Sequence, residues 1–213
     1  MVSLYKMKNY NIQSLFPIPI YTTNIDRKFT KQELDFVDHQ KNYCKKNEGN
    51  VNTIDNYILK QKVFKDINKF LEEHCENYLN NIICPKFDLK LQITQSWLNY
   101  TNPNQYHHKH RHPNSIISGV LYFDCNVKYD KIYFANTSSY KQISPEINTD
   151  KYNSWNSSTW WFPVETGNLI LFPSSTEHFV DNKQGTNTRI SLAFNTFYKG
   201  TLGDNNKLSE LII

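Results

Sequence analysis

The stretch His107-His108-Lys109-His110-Arg111-His112-Pro113 places four of the protein's seven histidines within six positions. Side chains alternate in direction along an extended segment, so we expect His108, His110 and His112 to point to one side of a strand. Two imidazoles two positions apart on a strand can bind one metal ion from the same face. Such a pair needs a third ligand from elsewhere, and the candidate is His178, 66 residues after His112. The run therefore predicts a metal site that the fold completes.

A second signal follows His178 at Arg189-Ile190-Ser191. If these residues begin a strand, Arg189 and Ser191 face the same side of it. An arginine that points into an apolar sheet is costly unless it meets an anion. A guanidinium with a neighbouring hydroxyl is suited to bind a carboxylate, because arginine donates two parallel hydrogen bonds. Three imidazoles alone are compatible with iron, zinc, copper or nickel, so the ligands do not choose the metal.

Composition sets the broad class of the protein. The chain has 213 residues with 14 Tyr, 13 Phe and 4 Trp, which is enough aromatic surface for a sizeable core. Its net charge of +4 is a weak surplus that gives no support to a nucleic-acid partner. The four cysteines form no CxxC pair, and no stretch has the length of a membrane span or of a signal sequence. We expect a cytoplasmic protein with no membrane partner; the oligomeric state and the substrate, a small molecule or a protein, stay open.

Helices are predicted in the first part of the chain. Thr30 and Glu33 form a capping box, which predicts a helix from about 31 to 45 with Leu34, Val37 and Tyr43 or Cys44 inward. The segment from Lys60 to Ile83 carries an apolar stripe that begins at Val63 and ends at Ile82, and Pro85 stops it. His74 lies on that stripe, and we interpret it as a hydrogen-bonded histidine at the edge of the core.

Strands are predicted in the second part. Residues 15–21 form an apolar run with two prolines, typical of an edge strand, and further strands are predicted from Leu89, over 116–123, near 131–134, and over 168–173, 178–180 and 189–198. Residues 126–160 otherwise resemble a long loop. Helices followed by strands predict an α+β fold of mainly β type, with N-terminal supporting helices packed on a β-sandwich or jelly roll. We expect one domain over 1–213: strand and helices to about 86, the β core at about 87–200, and a tail at 201–213.

Three motifs together are similar to those of the iron(II)- and 2-oxoglutarate-dependent oxygenases, and more closely to a subfamily found in bacteria and their phages. The subfamily pattern is HxHPxSxxSGVxY, then GxLxxFPSxxxH, then RxSxxFN. The chain supplies these motifs at His110–Tyr122, Gly167–His178 and Arg189–Asn195, and it also resembles the subfamily at Leu15–Pro17 and Gly49–Asn52.

The resemblance implies a double-stranded β-helix, a cupin-like fold with the metal between two sheets. It implies that iron(II) is bound by His110, His112 and His178, and that Arg189, helped by Ser191, binds the cosubstrate 2-oxoglutarate. The chain departs from the superfamily at His112, where the second ligand is usually a carboxylate. The alternatives are that His108 and His110 form the pair, or that Asp124 or Glu177 joins the site. Trp97, Asn99 and Asn195 are candidates for the pocket wall or, equally, for core packing, and Trp155, Trp160 and Trp161 for its mouth.

The sequence therefore predicts a dioxygenase, an oxidoreductase that hydroxylates an unidentified substrate while 2-oxoglutarate is decarboxylated to succinate. Two alternatives stay open: a cupin-like metalloenzyme that uses no keto acid, and a non-catalytic jelly-roll binding or virion-associated module whose histidine run is incidental. Metal analysis with 2-oxoglutarate titration separates them. The cupin-like metalloenzyme would bind metal without the keto acid, and the binding module would bind no metal.

Overall fold

A computed structural model describes residues 13–137 and 145–213 of the chain. The described residues form two α-helices, α1 (Lys31–Gln40) and α2 (Lys65–Tyr78). They also form twelve strands: β1 (Tyr21–Asn24), β2 (Cys44–Lys46), β3 (Val51–Thr53), β4 (Leu89–Thr101), β5 (His107–His110), β6 (Ile117–Asp124), β7 (Lys131–Ala135), β8 (Thr159–Pro163), β9 (Asn168–Pro173), β10 (His178–Val180), β11 (Arg189–Leu202) and β12 (Leu211–Ile212).

The strands form two antiparallel sheets. The large sheet has the order β1-β9-β6-β11-β4-β3-β2, with β12 paired to β11, and the small sheet has the order β5-β10-β7-β8. In the centre of the large sheet, the neighbours β9, β6, β11 and β4 are not consecutive in the chain, as expected for a double-stranded β-helix. The predicted fold class, a mainly β core with N-terminal supporting helices, is confirmed.

Side chains that alternate in direction along the strands of the large sheet pack into two separate hydrophobic cores. On β6, Leu121 and Phe123 pack in a cluster that contains the buried stripe of α2, whereas Val120 and Tyr122 pack in a cluster with Ile132 and other side chains of β7. Successive side chains of a strand point to opposite faces, so one strand serves both layers. The helices therefore cover one face of the large sheet, and the small sheet covers the other.

The first helix begins at the predicted capping box and is shorter than predicted. The Thr30 hydroxyl accepts a hydrogen bond from the Glu33 amide at 3.2 Å, and the Glu33 carboxylate accepts one from the Thr30 amide at 2.7 Å. The helix ends at Gln40, and a 3-10 turn and β2 follow it. Val37 is buried as predicted, and Cys44, one of the two alternatives for the last inward position, packs against the core while Tyr43 is exposed; Leu34 is exposed, so its predicted inward position is wrong.

The second helix, shorter than predicted at its start, agrees with most of its predicted stripe, but Ile82 is exposed and its predicted inward position is wrong. Ile67, Leu71 and Tyr78 are buried, and a π-helical turn continues it over Leu79–Ile83 before Cys84 adopts a left-handed conformation. The His74 ring is hydrogen-bonded to the Tyr21 hydroxyl at 2.7 Å, which confirms the interpretation of a core-edge histidine.

The predicted N-terminal edge strand lies later than expected. Residues 15–20 are not part of a strand, and β1 begins at Tyr21, after the prolines at 17 and 19. Proline lacks a donor for the ladder, so pairing starts beyond it. Within the described residues, no helix is long and apolar enough to cross a membrane.

Glu33 provides a test of the α1 terminus. Its carboxylate accepts two hydrogen bonds from Arg27, at 2.7 and 2.9 Å, in addition to the cap, and it is 2% exposed. We expect Glu33→Ala to lower the free energy of unfolding by about 1–3 kcal/mol, because it removes charge-assisted hydrogen bonds from a buried site. Glu33→Gln, which can still cap the helix, should cost less. Urea unfolding of the three proteins measures both differences.

The same pair predicts a pH dependence. Burial alone raises the pKa of Glu33, but the hydrogen bonds from Arg27 and Thr30 outweigh it and lower the pKa below its ordinary value. A lowered folded-state pKa adds stability above the unfolded pKa of about 4.3, and this contribution is lost as the pH falls through the folded value. The difference in unfolding free energy between the wild type and Glu33→Gln should therefore shrink below about pH 4. A difference that grows on acidification would contradict the pairing.

Candidate metal centre

The pairing of β5 with β10 brings the histidine run to the distal histidine. His178 pairs with His110, and Val180 pairs with His107. The pairing therefore advances by two residues along β10 and by three residues along β5, which is a β-bulge in β5. A bulge of this kind changes which side chains face inward. His107 and His110 consequently line the same inner cavity, and His108 lines an outer groove instead. His107 lines both the cavity and the groove, whereas His108 is not among the residues that line the cavity, although its ring lies beside that of His110.

Three imidazoles converge at the end of this strand pair. One ring nitrogen from each of His110, His112 and His178 lies within 4.8 Å of the others. The Nε2 atoms of His112 and His178 are 3.3 Å apart. Two nitrogens that bind one metal ion at about 2.0–2.1 Å lie about 3 Å from each other, so this separation fits a shared ion.

Backbone carbonyls set the orientation of two of these rings. The Nδ1 atom of His110 is 2.7 Å from the His108 carbonyl oxygen, and Nδ1 of His178 is 3.1 Å from that of Thr176. A carbonyl oxygen can only accept, so each Nδ1 carries the proton and donates it. Each Nε2 is then an unprotonated donor atom for a metal, which is the usual arrangement of a metal-binding histidine.

Burial keeps the three rings neutral. It lowers the pKa of His110, brings the pKa of His112 to about 4, and lowers that of His178 well below its ordinary value. The neighbouring imidazoles lower the pKa of His112 and of His178 further. Neutral imidazoles are the metal-binding form, so the triad is ready to bind an ion at neutral pH.

A second histidine cluster overlaps the first. Ring nitrogens of His107, His108 and His110 also lie within 4.8 Å of one another, and His110 is common to both clusters. The alternative carboxylates lie elsewhere. Asp124 is exposed at the end of β6, and Glu177 forms surface ion pairs with Lys109 at 3.8 Å and Arg111 at 3.3 Å.

Arg189 lies in the same cavity as the triad and has no anionic partner. It is 4% exposed, and none of the ion pairs among the described residues includes it. Its guanidinium donates to the Lys131 carbonyl at 3.4 Å and to the Tyr122 hydroxyl at 3.3 Å, and its Nε has no partner. Asp130, next to Lys131 in the chain, pairs with Lys183. A buried cation without a counter-ion is costly, so this end of the cavity fits an anionic ligand.

The cavity extends from the triad to Arg189. Apart from the histidines, Arg189, Ser191 and Asn99 are among the polar residues that line it. Ser191 lies opposite Asn99 in the β11–β4 register, and both are buried. The Asn99 Oδ1 atom has no partner among the described residues. Asn99 thus lines the cavity, which is one of the two roles, pocket wall or core packing, that were predicted for it from the sequence.

Hydrogen bonds beneath His112 connect the three sequence motifs. The Ser174 hydroxyl donates to Ser115 at 2.7 Å and shares a hydrogen bond with Ser118 at 2.8 Å, and Ser118 donates to Asn195 at 3.0 Å. The His112 amide donates to the Ser174 carbonyl at 3.0 Å. Sequence reasoning did not assign a role to these serines, although all of them lie within the quoted motifs. The network holds the loop that carries His112.

Aromatic neighbours complete the site. The Trp97 ring stacks on His112 with centroids 5.7 Å apart, so Trp97 is also a wall residue. Trp155 and Trp160 line a separate groove, and Trp161 lies under the Lys131 ammonium at 3.8 Å. None of these three tryptophans is among the residues that line the cavity.

Comparison with known proteins points to one family. Residues 95–195 match the model of the family described as "Putative 2OG-Fe(II) oxygenase". No curated protein matches the chain. Among solved structures, it is similar to a 2OG-Fe(II) oxygenase family oxidoreductase from Burkholderia pseudomallei, with 11% identity, 83% of each chain covered and a TM-score of 0.55.

Two further structures have the same fold. HygX from Streptomyces hygroscopicus, solved with nickel, 2-oxoglutarate and hygromycin B bound, has 8% identity, a TM-score of 0.56 and coverage of 84% of this chain and 82% of its own. A Pseudomonas putida prolyl-4-hydroxylase has 12% identity, a TM-score of 0.54 and coverage of 84% and 92%. The family match over residues 95–195 supports a 2OG-Fe(II) oxygenase, an oxidoreductase that uses iron(II) and 2-oxoglutarate, and the solved structures share the fold of this chain.

The triad makes a direct prediction about metal binding. We expect the wild type to bind one iron(II) ion, and His178→Ala to weaken that binding by at least tenfold, because two ligands remain. The control is His39→Ala, which removes an exposed histidine of α1. Anaerobic titration with a competing chelator measures the affinities. Equal affinity in His178→Ala and wild type would contradict the triad.

Proposed function

We propose that this oxygenase binds iron(II) through His110, His112 and His178, binds 2-oxoglutarate through Arg189 and Ser191, and hydroxylates a C–H bond of its substrate. The observation that carries the proposal is that three convergent neutral imidazoles and an unpaired buried arginine line one cavity. When bound, iron(II) supplies the oxygen chemistry in which 2-oxoglutarate and O2 give succinate and CO2, and one oxygen atom enters the substrate C–H bond.

Arg189 has a positioning role in this proposal. Its buried guanidinium is held by the Lys131 carbonyl and the Tyr122 hydroxyl, so its charge is directed into the cavity. A dicarboxylate that meets Arg189 with one carboxylate extends toward the triad with its other end. Ser191, on the same face of β11, adds a hydroxyl donor near the same carboxylate.

The third imidazole changes the charge of the site. A carboxylate ligand would neutralise one charge of iron(II), whereas His112 leaves both in place. The more positive centre attracts an anionic keto acid more strongly. Apolar side chains, among them Ile132, Phe172 and Val120, form the rest of the wall and exclude water from it.

The remaining sequence predictions fit the same proposal. The three motifs support membership in the subfamily that they define. We infer one oxygenase domain, since β2 and β3 from the N-terminal part extend the large sheet beside β4. The four cysteines are free thiols, which supports a reducing compartment such as the cytoplasm.

The first test concerns Arg189. We expect Arg189→Ala to raise the dissociation constant of 2-oxoglutarate by at least tenfold, because a charge-assisted bidentate pair contributes about 1.5–3 kcal/mol. Arg189→Lys, which keeps the charge without the fork, should give an intermediate value. Calorimetric titration of the iron(II)-loaded protein under anaerobic conditions measures both. An unchanged dissociation constant in Arg189→Ala would place the carboxylate elsewhere.

The second test concerns the ligand that departs from the superfamily. We expect the His112→Asp protein to keep its affinity for iron(II), because the substitution creates a two-histidine, one-carboxylate site. We expect the His112→Ala protein to lose most of its affinity for iron(II). Iron content and succinate release from 2-oxoglutarate are the two measurements. If His112→Ala retains the iron(II) affinity and succinate release of the wild type, His112 is not a ligand.

Succinate release also separates this function from its alternatives. Wild-type protein that forms succinate in the presence of iron(II) supports the proposal. Metal binding without any affinity for 2-oxoglutarate would favour a cupin-like metalloenzyme, and absence of both would favour a binding module.

A further inference from the structure

His107 faces the cosubstrate cavity without belonging to the triad. The β5 bulge turns it inward, and it lines the cavity together with Arg189 and Ser191. Its ring stacks on His110 with centroids 4.6 Å apart. His107 therefore lies beside the candidate metal centre, and it also lines the outer groove that His108 lines.

Asn47 determines which nitrogen of His107 carries the proton. The Asn47 Nδ2 atom donates to Asn50 Oδ1 at 2.8 Å and is 3.2 Å from His107 Nε2. An amide nitrogen only donates, so Nε2 of His107 accepts and is unprotonated. The reverse orientation of Asn47 would set its oxygen against the Asn50 oxygen. The proton of the neutral His107 ring is consequently on Nδ1, and this N–H is a donor.

The hairpin that carries Asn47 is docked firmly beside the histidine run. Its tip, between β2 and β3, accepts a hydrogen bond from the Tyr106 amide at the Gly49 carbonyl, at 3.1 Å. Gly49 has φ of +88°, and a Cβ there would lie 2.6 Å from the Tyr106 carbonyl oxygen. Only glycine fits this close approach, so the position of Asn47 relative to His107 is set by the backbone.

We propose that His107 is a further cosubstrate-binding residue, whose Nδ1–H donates to a carboxylate oxygen of 2-oxoglutarate, and that Asn47 is the positioning residue that keeps the proton there. The inference rests on the proposed function and deepens it. A dicarboxylate offers more acceptor lone pairs than Arg189 and Ser191 satisfy, and His107 adds a neutral donor to the same cavity.

Variants of His107 test the donor. His107→Phe fills the space without a donor, whereas His107→Asn can place an N–H near the position of Nδ1. We expect the 2-oxoglutarate dissociation constant of the iron(II)-loaded protein, titrated without oxygen, to rise about tenfold in His107→Phe and to recover largely in His107→Asn. The matched control is Lys109→Gln, an outward residue of the same strand. Iron(II) affinity should be unchanged in all three.

A test of Asn47 uses the metal-free protein. We expect the ¹⁵N chemical shifts of His107 to show protonated Nδ1 and unprotonated Nε2 in the wild type, and a mixture of tautomers in Asn47→Ala. In the iron(II)-loaded protein, Asn47→Ala should raise the 2-oxoglutarate dissociation constant by a smaller factor than His107→Phe. Protonation on Nε2 in the wild type would overturn the proposal.

The possible outcomes distinguish a failure of this inference from a failure of the proposed function. Wild-type affinity for 2-oxoglutarate in a folded His107→Phe protein overturns the role of His107 and leaves the proposed function standing. A parallel loss of iron(II) affinity in His107→Phe and His107→Asn overturns it too, since His107 would then act on the metal. If the iron(II)-loaded wild type binds no 2-oxoglutarate, the proposed function fails first.

Discussion

The pairing of β5 with β10 is the constraint on which the site depends. It sets His110 opposite His178 and, through one bulge, turns His107 to the inner face. A one-residue slip would exchange inner and outer side chains along the short strand β5. The triad, the cavity and the donor beside it therefore follow from one register. The short strands tolerate this irregularity because β7 pairs with the other edge of β10 and the outer ion pairs of Glu177 cross to the β5 side.

The other half of the site depends on the large sheet. Arg189 and Ser191 lie at the start of β11, which pairs with β4 along most of its length and with β6 over Ile190–Asn195. The serine and asparagine hydrogen bonds join the loop of His112 to the start of β6, the end of β9 and the middle of β11. Each sheet thus supplies one end of the cavity, and the layer of helices behind the large sheet supports that end. A site between two sheets can hold a metal and an anion at a constant separation.

The charges in the cavity are arranged for a dianion. The chain places a buried guanidinium at one end, neutral imidazoles at the other and neutral donors along the wall, and the buried carboxylate Asp130 is already paired with Lys183. The proposed ligand His112 acts in the same direction, since a metal ion held by an imidazole in place of a carboxylate would be more positive. Hydrogen bonds that the rings of His110 and His178 donate to backbone carbonyls, and one that His107 accepts from Asn47, then fix where each of these rings presents its lone pair or its proton.

Local sequence determined much of this protein. Periodicity located α2 and most of the core strands, the capping box located the start of α1, and the spacing of His110, His112, His178 and Arg189 indicated residues that the structure brings into one cavity. Only the tertiary structure shows that His107, and not His108, lines the cavity. A bulge depends on the partner strand, so the alternation of one segment does not reveal it. The contact of Asn47 with His107 spans 60 positions, and burial of Glu33 instead of Leu34 depends on Arg27. Such choices are made by long-range packing, which a local pattern does not contain.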